Sequence, residues 1–219
     1  MIIFERFALG RLVIACILTT MPNVAIIYYS SSGTNHATAQ AVAEGAKGAG
    51  AEVRVRLVAE TAPKAAIDGN PAWRAFVDKT ANEPKATPDD LEWADAVVFG
   101  SPTRFGNVAA QLKSFMDSLG GLWFQGKLAD KVYAGFTSAQ NPHGGQESTL
   151  LALYNSFYHW GAVIVTPGYT DKSVFASGGN PYGVSVTVGP KLAPPTEADI
   201  AHATYLGKRV TETAKKLRG

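Results

Sequence analysis

"NVAIIYYSSSGTNHA", residues 23–37, decides how the rest of the chain is read. Its first half is almost continuously apolar, the pattern of a strand buried on both faces of a parallel sheet. The hydroxyl residues Ser30, Ser31, Ser32 and Thr34 follow, with Gly33 among them, and from Asn35 to Gly48 the sequence reads as an Ala-rich helix stopped by glycine. A buried strand that turns through a small polar loop into a helix opens a β-α-β unit.

Working outward, the same alternation repeats. "EVRVRLV" (52–58) alternates apolar and basic residues, as a strand near a sheet edge does. The Pro-, Asp- and Asn-rich stretch from Ala59 to Ala94 reads as a long insertion, with a helical piece around Trp73 to Val77 and a short helix near Asp89 to Trp93. "DAVVFGSP" (95–102) is a third strand. After it Asn107 is expected to cap a helix carrying Val108, Leu112, Phe115, Met116 and Leu119 on one face, with Gly120 and Gly121 as its stop. "KVYAGFTS" (131–138) is the fourth strand, residues 146–161 the next helix, and "AVIVTPG" (162–168) the fifth strand. A hairpin is expected around "VSVTVG" (184–189), and Thr196, Glu197 and Asp199 open a final helix. The fold class expected is therefore α/β: a doubly wound, five-stranded parallel sheet of order 2-1-3-4-5 with helices on both faces.

Composition narrows the function. The net charge of +2 disfavours a nucleic-acid binder with a basic face and a strongly acidic docking carrier alike. One cysteine, Cys16, rules out a disulfide framework within the chain, and four scattered histidines offer no metal-ligand spacing, so no metal is expected. In residues 1–20, Arg6 and Arg11 precede "LVIACILTT", a run that resembles a weak signal-peptide core and is too short to span a bilayer as a helix. "MPNVAIIYYS" from Met21 already opens a complete strand. Residues 1–20 are thus expected to be an extension, from a mis-assigned start, disorder or targeting, ahead of one domain over residues 22–219.

In a doubly wound sheet, ligands bind beyond the carboxyl ends of the strands, at the switch point between strands 1 and 3. The loops meeting there are Ser30–Asn35, Ser101–Asn107 and Ser138–Glu147. The first combines hydroxyls with backbone N–H groups at a helix start, which suits a phosphate monoester. It has neither a P-loop lysine nor a G-x-G-x-x-G pattern, so a phosphate held still fits better than one in transfer. An ordinary capped turn would carry many of the same residues. The second loop adds the cation Arg104, the ring of Phe105 and the close approach that Gly106 permits, a mixed set suited to a cofactor.

"YYSSSGTN", "GSPTRFGNVAAQLKSFMDSLGGLW", "GGQE" and "HWGAVIV", in this order and spacing, resemble the flavodoxin-like NAD(P)H:quinone oxidoreductases of the WrbA family. The resemblance covers Pro22 to Gly219, and its "PTRFGN" and "GGLW" motifs are absent from short-chain flavodoxins. It implies bound FMN, with NADH or NADPH as co-substrate and quinone as acceptor. The phosphate would lie on Ser30, Ser31, Ser32, Gly33, Thr34 and Asn35. Pro102, Thr103, Arg104, Phe105, Gly106 and Asn107 would meet the ribityl chain and ring. Ser138, Ala139, Gln140, Asn141, Gly144 and Gly145 would cover the other side. His159 is expected to reach the flavin and give a proton to quinone, Arg104 to steady negative charge on the reduced ring, and Trp123, Ser32 and Phe105 to line the substrate pocket.

The sequence departs from the family at three places. Ser32 is small where relatives often carry a bulkier residue against the nicotinamide. "NPH" (141–143) lengthens the fourth-strand loop and brings His143 toward the flavin, and His159-Trp160 replaces a common His-His pair. Two-electron quinone reduction through one pocket used twice is the expected activity. The alternatives are a flavodoxin-type electron carrier and a protein-interaction module. A cytoplasmic homotetramer is expected, with no nucleic acid and no membrane span. Trp73, in the insertion, is the kind of residue that anchors an interface.

Overall fold

A computed structural model describes residues 21–218; the extension expected over residues 1–20 lies outside the described residues. The strands β1 (Asn23–Tyr28), β2 (Glu52–Leu57), β3 (Ala96–Pro102), β4 (Val132–Ala139), β5 (Val163–Ile164) and β6 (Val184–Thr187) form one parallel sheet. The order β2-β1-β3-β4-β5 is the one expected. β1 lies between β2 and β3, with Ile26 in register with Val55 on one side and Val98 on the other.

Alternation along each strand divides the core. Val24, Ile26 and Tyr28 point to one face, with α1 (Thr34–Gly48) and α9 (Glu197–Arg218); Ala25, Ile27 and Tyr29 point to the other, with α4 (Pro88–Trp93), α5 (Ala110–Asp117) and α7 (Gln146–Trp160). The edge strand β2 explains its own alternation. Val53 and Val55 pack on the first core, while Arg54 and Arg56 pair with Asp90 at 3.4 and 3.0 Å and Arg54 stacks 4.0 Å above Trp93.

Three expectations are corrected. "VSVTVG" forms no hairpin. Its first four residues are β6, which pairs with the end of β4 (Phe136 with Val184) while β5 pairs with the beginning (Val132 with Val163). The fifth position of the sheet is one strand interrupted. Pro167 lacks the N–H that would continue the ladder, so the chain leaves through α8 (Lys172–Ala176). It returns at Gly183, where a Cβ would lie 2.4 Å from the Gly135 carbonyl oxygen.

Asn107 caps no helix. It exchanges both backbone hydrogen bonds with Arg104, at 2.7 and 3.0 Å, around a tight turn in which Phe105 and Gly106 take φ of 53° and 77°. The helix begins only at Ala110, and the Ser101 hydroxyl accepts from the Ala109 amide at 2.8 Å. Gly120 and Gly121 start α6 (Gly120–Phe124) instead of ending α5. The left-handed stop is Gly126, with Lys127 N–H donating back to the Leu122 carbonyl at 3.0 Å. Between β2 and β3 the insertion holds α2 (Lys64–Asp68), α3 (Pro71–Lys79) and α4.

Candidate active site

The loops after β1, β3 and β4 converge at the carboxyl edge of the sheet on a cavity of about 420 Å³. That is enough room for a cofactor-sized ligand. Ser31, Ser32 and Thr34 of the first loop line it, with Pro102, Thr103, Arg104 and Phe105 of the second and Ser138, Ala139, Gln140, Asn141 and Gly144 of the third. The wall is completed by residues that sequence reasoning did not assign to the site: Asn70, Ala72 and Trp73 from the insertion, and Val188 and Leu192 after β6.

The first loop leads into a helix start with no cap of its own. Gly33, at φ 95°, precedes α1, which has no side-chain cap and no acidic residue in its first turn. Its N-terminal amides therefore have no partner from a capping side chain, at the end where the helix dipole is positive. Ser30 does not line the cavity; its hydroxyl accepts from Gly33 N–H at 3.0 Å and shapes the turn. Asn35 is buried and donates to the Tyr29 carbonyl at 3.2 Å, leaving its Oδ1 without a partner. Arg104 reaches back over this loop, donating to Ser31 Oγ at 3.2 Å and to the Thr103 carbonyl at 3.1 Å. Its guanidinium therefore sits at the end of the cavity where α1 begins.

The second and third loops are joined to each other. The Thr103 hydroxyl lies 2.6 Å from that of Thr149 and donates weakly toward the Gly144 and Gly145 carbonyls, both at 3.4 Å. Gly145 (φ 91°) packs against Gly106, so neither lines the cavity but together they set its width. Gln146 Nε2 donates to the Asn141 carbonyl at 2.8 Å and to Thr187 Oγ1 at 3.2 Å, tying the third loop to β6. Its Oε1 is a second buried atom without a partner. His143 is exposed and is not part of the wall. Phe105 stands fully in solvent in a left-handed conformation, a combination that is costly unless something covers the ring.

His159 and Trp123 are elsewhere. α7 starts at the site with Gln146, and His159 lies 13 residues further on, 159 − 146, so roughly 20 Å along the helix. The Trp123 indole N–H donates to the His159 carbonyl at 3.0 Å, and both residues are exposed. One chain does not bring this pair to its own cavity.

Behind the cavity lies a charge that the sequence did not advertise. Burial would raise the pKa of Glu60, but hydrogen bonds from the Ala62 amide, Gln111, Tyr29 and Trp73 outweigh it and hold the carboxyl below its ordinary range. Burial, with the neighbouring Glu60, drives the Tyr29 hydroxyl far up, so it remains a donor.

An uncapped helix start ringed by hydroxyls, beside a slot walled by Phe105 and Gly144, fits a phosphate joined to a flat ring. Comparison with known proteins agrees. The family model for NADPH-dependent FMN reductase matches residues 22–173. A Deinococcus radiodurans protein named NAD(P)H dehydrogenase (quinone) is 52% identical over 202 residues, spanning 92% of this chain and 100% of its own. One of the same name from Azorhizobium caulinodans is 43% identical, over 91% of this chain and 100% of its own. Among solved structures, a WrbA-like flavodoxin from Agrobacterium tumefaciens superposes with a TM-score of 0.63 at 26% identity, covering 89% of this chain and 98% of that one. This chain belongs to the flavodoxin-like, WrbA-type family of NAD(P)H:quinone oxidoreductases.

Proposed function

We propose that the chain binds FMN in the three-loop cavity and reduces quinones to quinols with electrons from NADH or NADPH. The observation that carries this is the uncapped start of α1 at the same sheet edge as the slot behind Phe105. Bound there, FMN would supply a ring that accepts hydride from the nicotinamide and passes two electrons to the quinone.

The chain's own residues do the rest. The amides of the first turn of α1 and the hydroxyls of Ser31, Ser32 and Thr34 hold the phosphate; Ser30, Gly33 and Asn35 shape the loop that presents them. Arg104 adds its positive charge over Ser31, which shifts its role from the ring toward the phosphate end. Pro102, Thr103 and Phe105, with Gly106 and Asn107 behind them, form one wall. Ser138 to Asn141 with Gly144 form the other, and Gly145 spaces the two.

We further propose a homotetramer in which a neighbouring copy brings Trp123 and His159 to this cavity. Support comes from their distance from their own cavity and from the exposed aromatic residues Phe105 at 103%, Phe124 at 85%, Tyr158 at 69% and Trp123 at 52%. His159 then gives a proton to the quinone oxygen, and Trp123, Ser32 and Phe105 bound the substrate space. The activity is assigned to the cytoplasm because its electron donor is an intracellular metabolite. Among the described residues no helix is long and apolar enough to cross a membrane.

Initial rates measured against NADH at several fixed benzoquinone concentrations test the reading. A pocket used in turn by donor and acceptor gives parallel double-reciprocal lines. Intersecting lines would mean that both substrates are bound together, and the shared pocket would be wrong.

A further inference from the structure

Beside the small Ser32, the cavity has an aromatic wall that comes from the insertion between β2 and β3. Trp73 lines the same cavity as Ser31 and Ser32. It is half-buried.

Its ring is held in place. The indole N–H donates to Glu60 Oε2 at 2.8 Å, and the Tyr29 hydroxyl donates to the same oxygen at 2.8 Å. Glu60 Oε1 accepts from Gln111 Nε2 at 2.7 Å and from the amides of Thr61 and Ala62 at 2.9 Å. The carboxylate is thus fixed from the residue after β1, from α5 and from its own loop before Trp73 binds to it. The helix beneath Trp73 is fixed too. The Asn70 side chain caps α3 by accepting from the Trp73 amide at 3.1 Å, and Pro71 occupies its first turn. One turn on, Phe76 is buried beside the first loop, 3.5 Å from where a Cβ on Gly33 would lie. An aromatic ring with so little freedom loses little entropy when a flat partner stacks on it.

We propose that Trp73 is the specificity-determining wall for the flat ring that enters on the Ser32 side, nicotinamide or quinone, and that Glu60 is the positioning residue that aims it. The proposal rests on FMN occupying this cavity. The recognition is aromatic stacking, beyond simple burial.

The test uses holoenzyme carrying Trp73→Ala, Trp73→Phe, Glu60→Ala or Glu60→Gln. Four quantities are read: FMN affinity of the apoprotein, the dissociation constant of NAD+ from oxidised holoenzyme by its effect on flavin absorbance, the KM for NADH and the KM for benzoquinone. Trp73→Ala weakens one ring about tenfold, leaves FMN affinity within about twofold, and is largely rescued in Trp73→Phe. Glu60→Ala reproduces the loss, and Glu60→Gln recovers only part of it, because its amide oxygen still accepts from the indole while its NH2 faces the Gln111, Thr61 and Ala62 donors; a lower urea midpoint with unchanged NAD+ affinity and KM would make Glu60 merely structural.

A change confined to NAD+ affinity and NADH KM identifies the ring as nicotinamide, and one confined to benzoquinone KM identifies it as quinone; either supports the proposal. If neither moves, or if FMN affinity alone falls, Trp73 is not a substrate wall and the proposal is overturned. A wild-type protein that takes up no FMN at all overturns the underlying assignment instead, and this inference with it.

Discussion

Replacing Gly145 with alanine should push apart the two loops that grip the ring slot. Gly145 sits at φ 91° before α7, a conformation that costs an L-residue roughly 1–2 kcal/mol. The added Cβ would also lie 2.9 Å from Gly106 Cα and 3.3 Å from its amide nitrogen. Those atoms are backbone and cannot rotate away, so overpacking adds about 1–3 kcal/mol. The sum is a loss of roughly 2–5 kcal/mol. Gly106→Ala is the control. Its φ of 77° imposes similar strain, but its Cβ meets only Ser148 Oγ at 2.8 Å, the end of a side chain that can turn. Its cost should stay near 1–2 kcal/mol. Urea unfolding of the apoproteins measures both losses, and FMN titration should show a larger drop in affinity for Gly145→Ala. If Gly145→Ala unfolds within about 0.5 kcal/mol of wild type, or is no worse than Gly106→Ala, the packing argument is wrong.

Other expectations bear on charge. Arg104→Ala should weaken FMN binding about tenfold at low salt, with the difference shrinking as salt is added, because this guanidinium is exposed; an equal loss at all salt concentrations would speak against a phosphate contact. His159→Ala should lower quinone turnover by about a hundredfold with FMN still bound, and unchanged turnover would remove His159 from the proton path. His202 is 1% exposed, lies 2.7 Å from Ser177 Oγ, and is pushed by burial down to a pKa of about 4, against the pull of Asp199 and Asp171. The folded state holds it neutral while the unfolded chain takes up a proton below about 6.5. Stability should therefore fall by up to about 3 kcal/mol as pH drops from about 6.5 to about 4. Urea midpoints across that range should flatten in His202→Gln.

Much of this was legible because the informative residues interact locally or follow from topology. β1, β3 and β4 are buried on both faces, so their apolar runs are unambiguous. Once the parallel order was inferred, three loops had to meet at one edge. The failures have physical causes. Asn107 suits a helix cap and a left-handed turn equally, and Phe105 in the left-handed region decided for the turn. Val184–Thr187 is too short to reveal that its partner is β4, 48 residues back from Phe136 to Val184, 184 − 136. Trp73 sits in a helix of only nine residues, opened by Asn70-Pro71, a cap followed by a first-turn proline; nothing local ties that helix to the distant loops it meets at the cavity. His159 fits the family pattern in sequence, but the length of α7 carries it away from its own cavity.

The central claim is that one FMN sits in the three-loop cavity and serves both substrates in turn. The direct measurement is to add FMN to the apoprotein, remove the excess, and follow the visible flavin band anaerobically. The expected result is one FMN per chain, bleaching by NADH with no quinone present, and recovery of the band when benzoquinone follows. A protein that retains no FMN, or a band that NADH leaves unchanged, would contradict it.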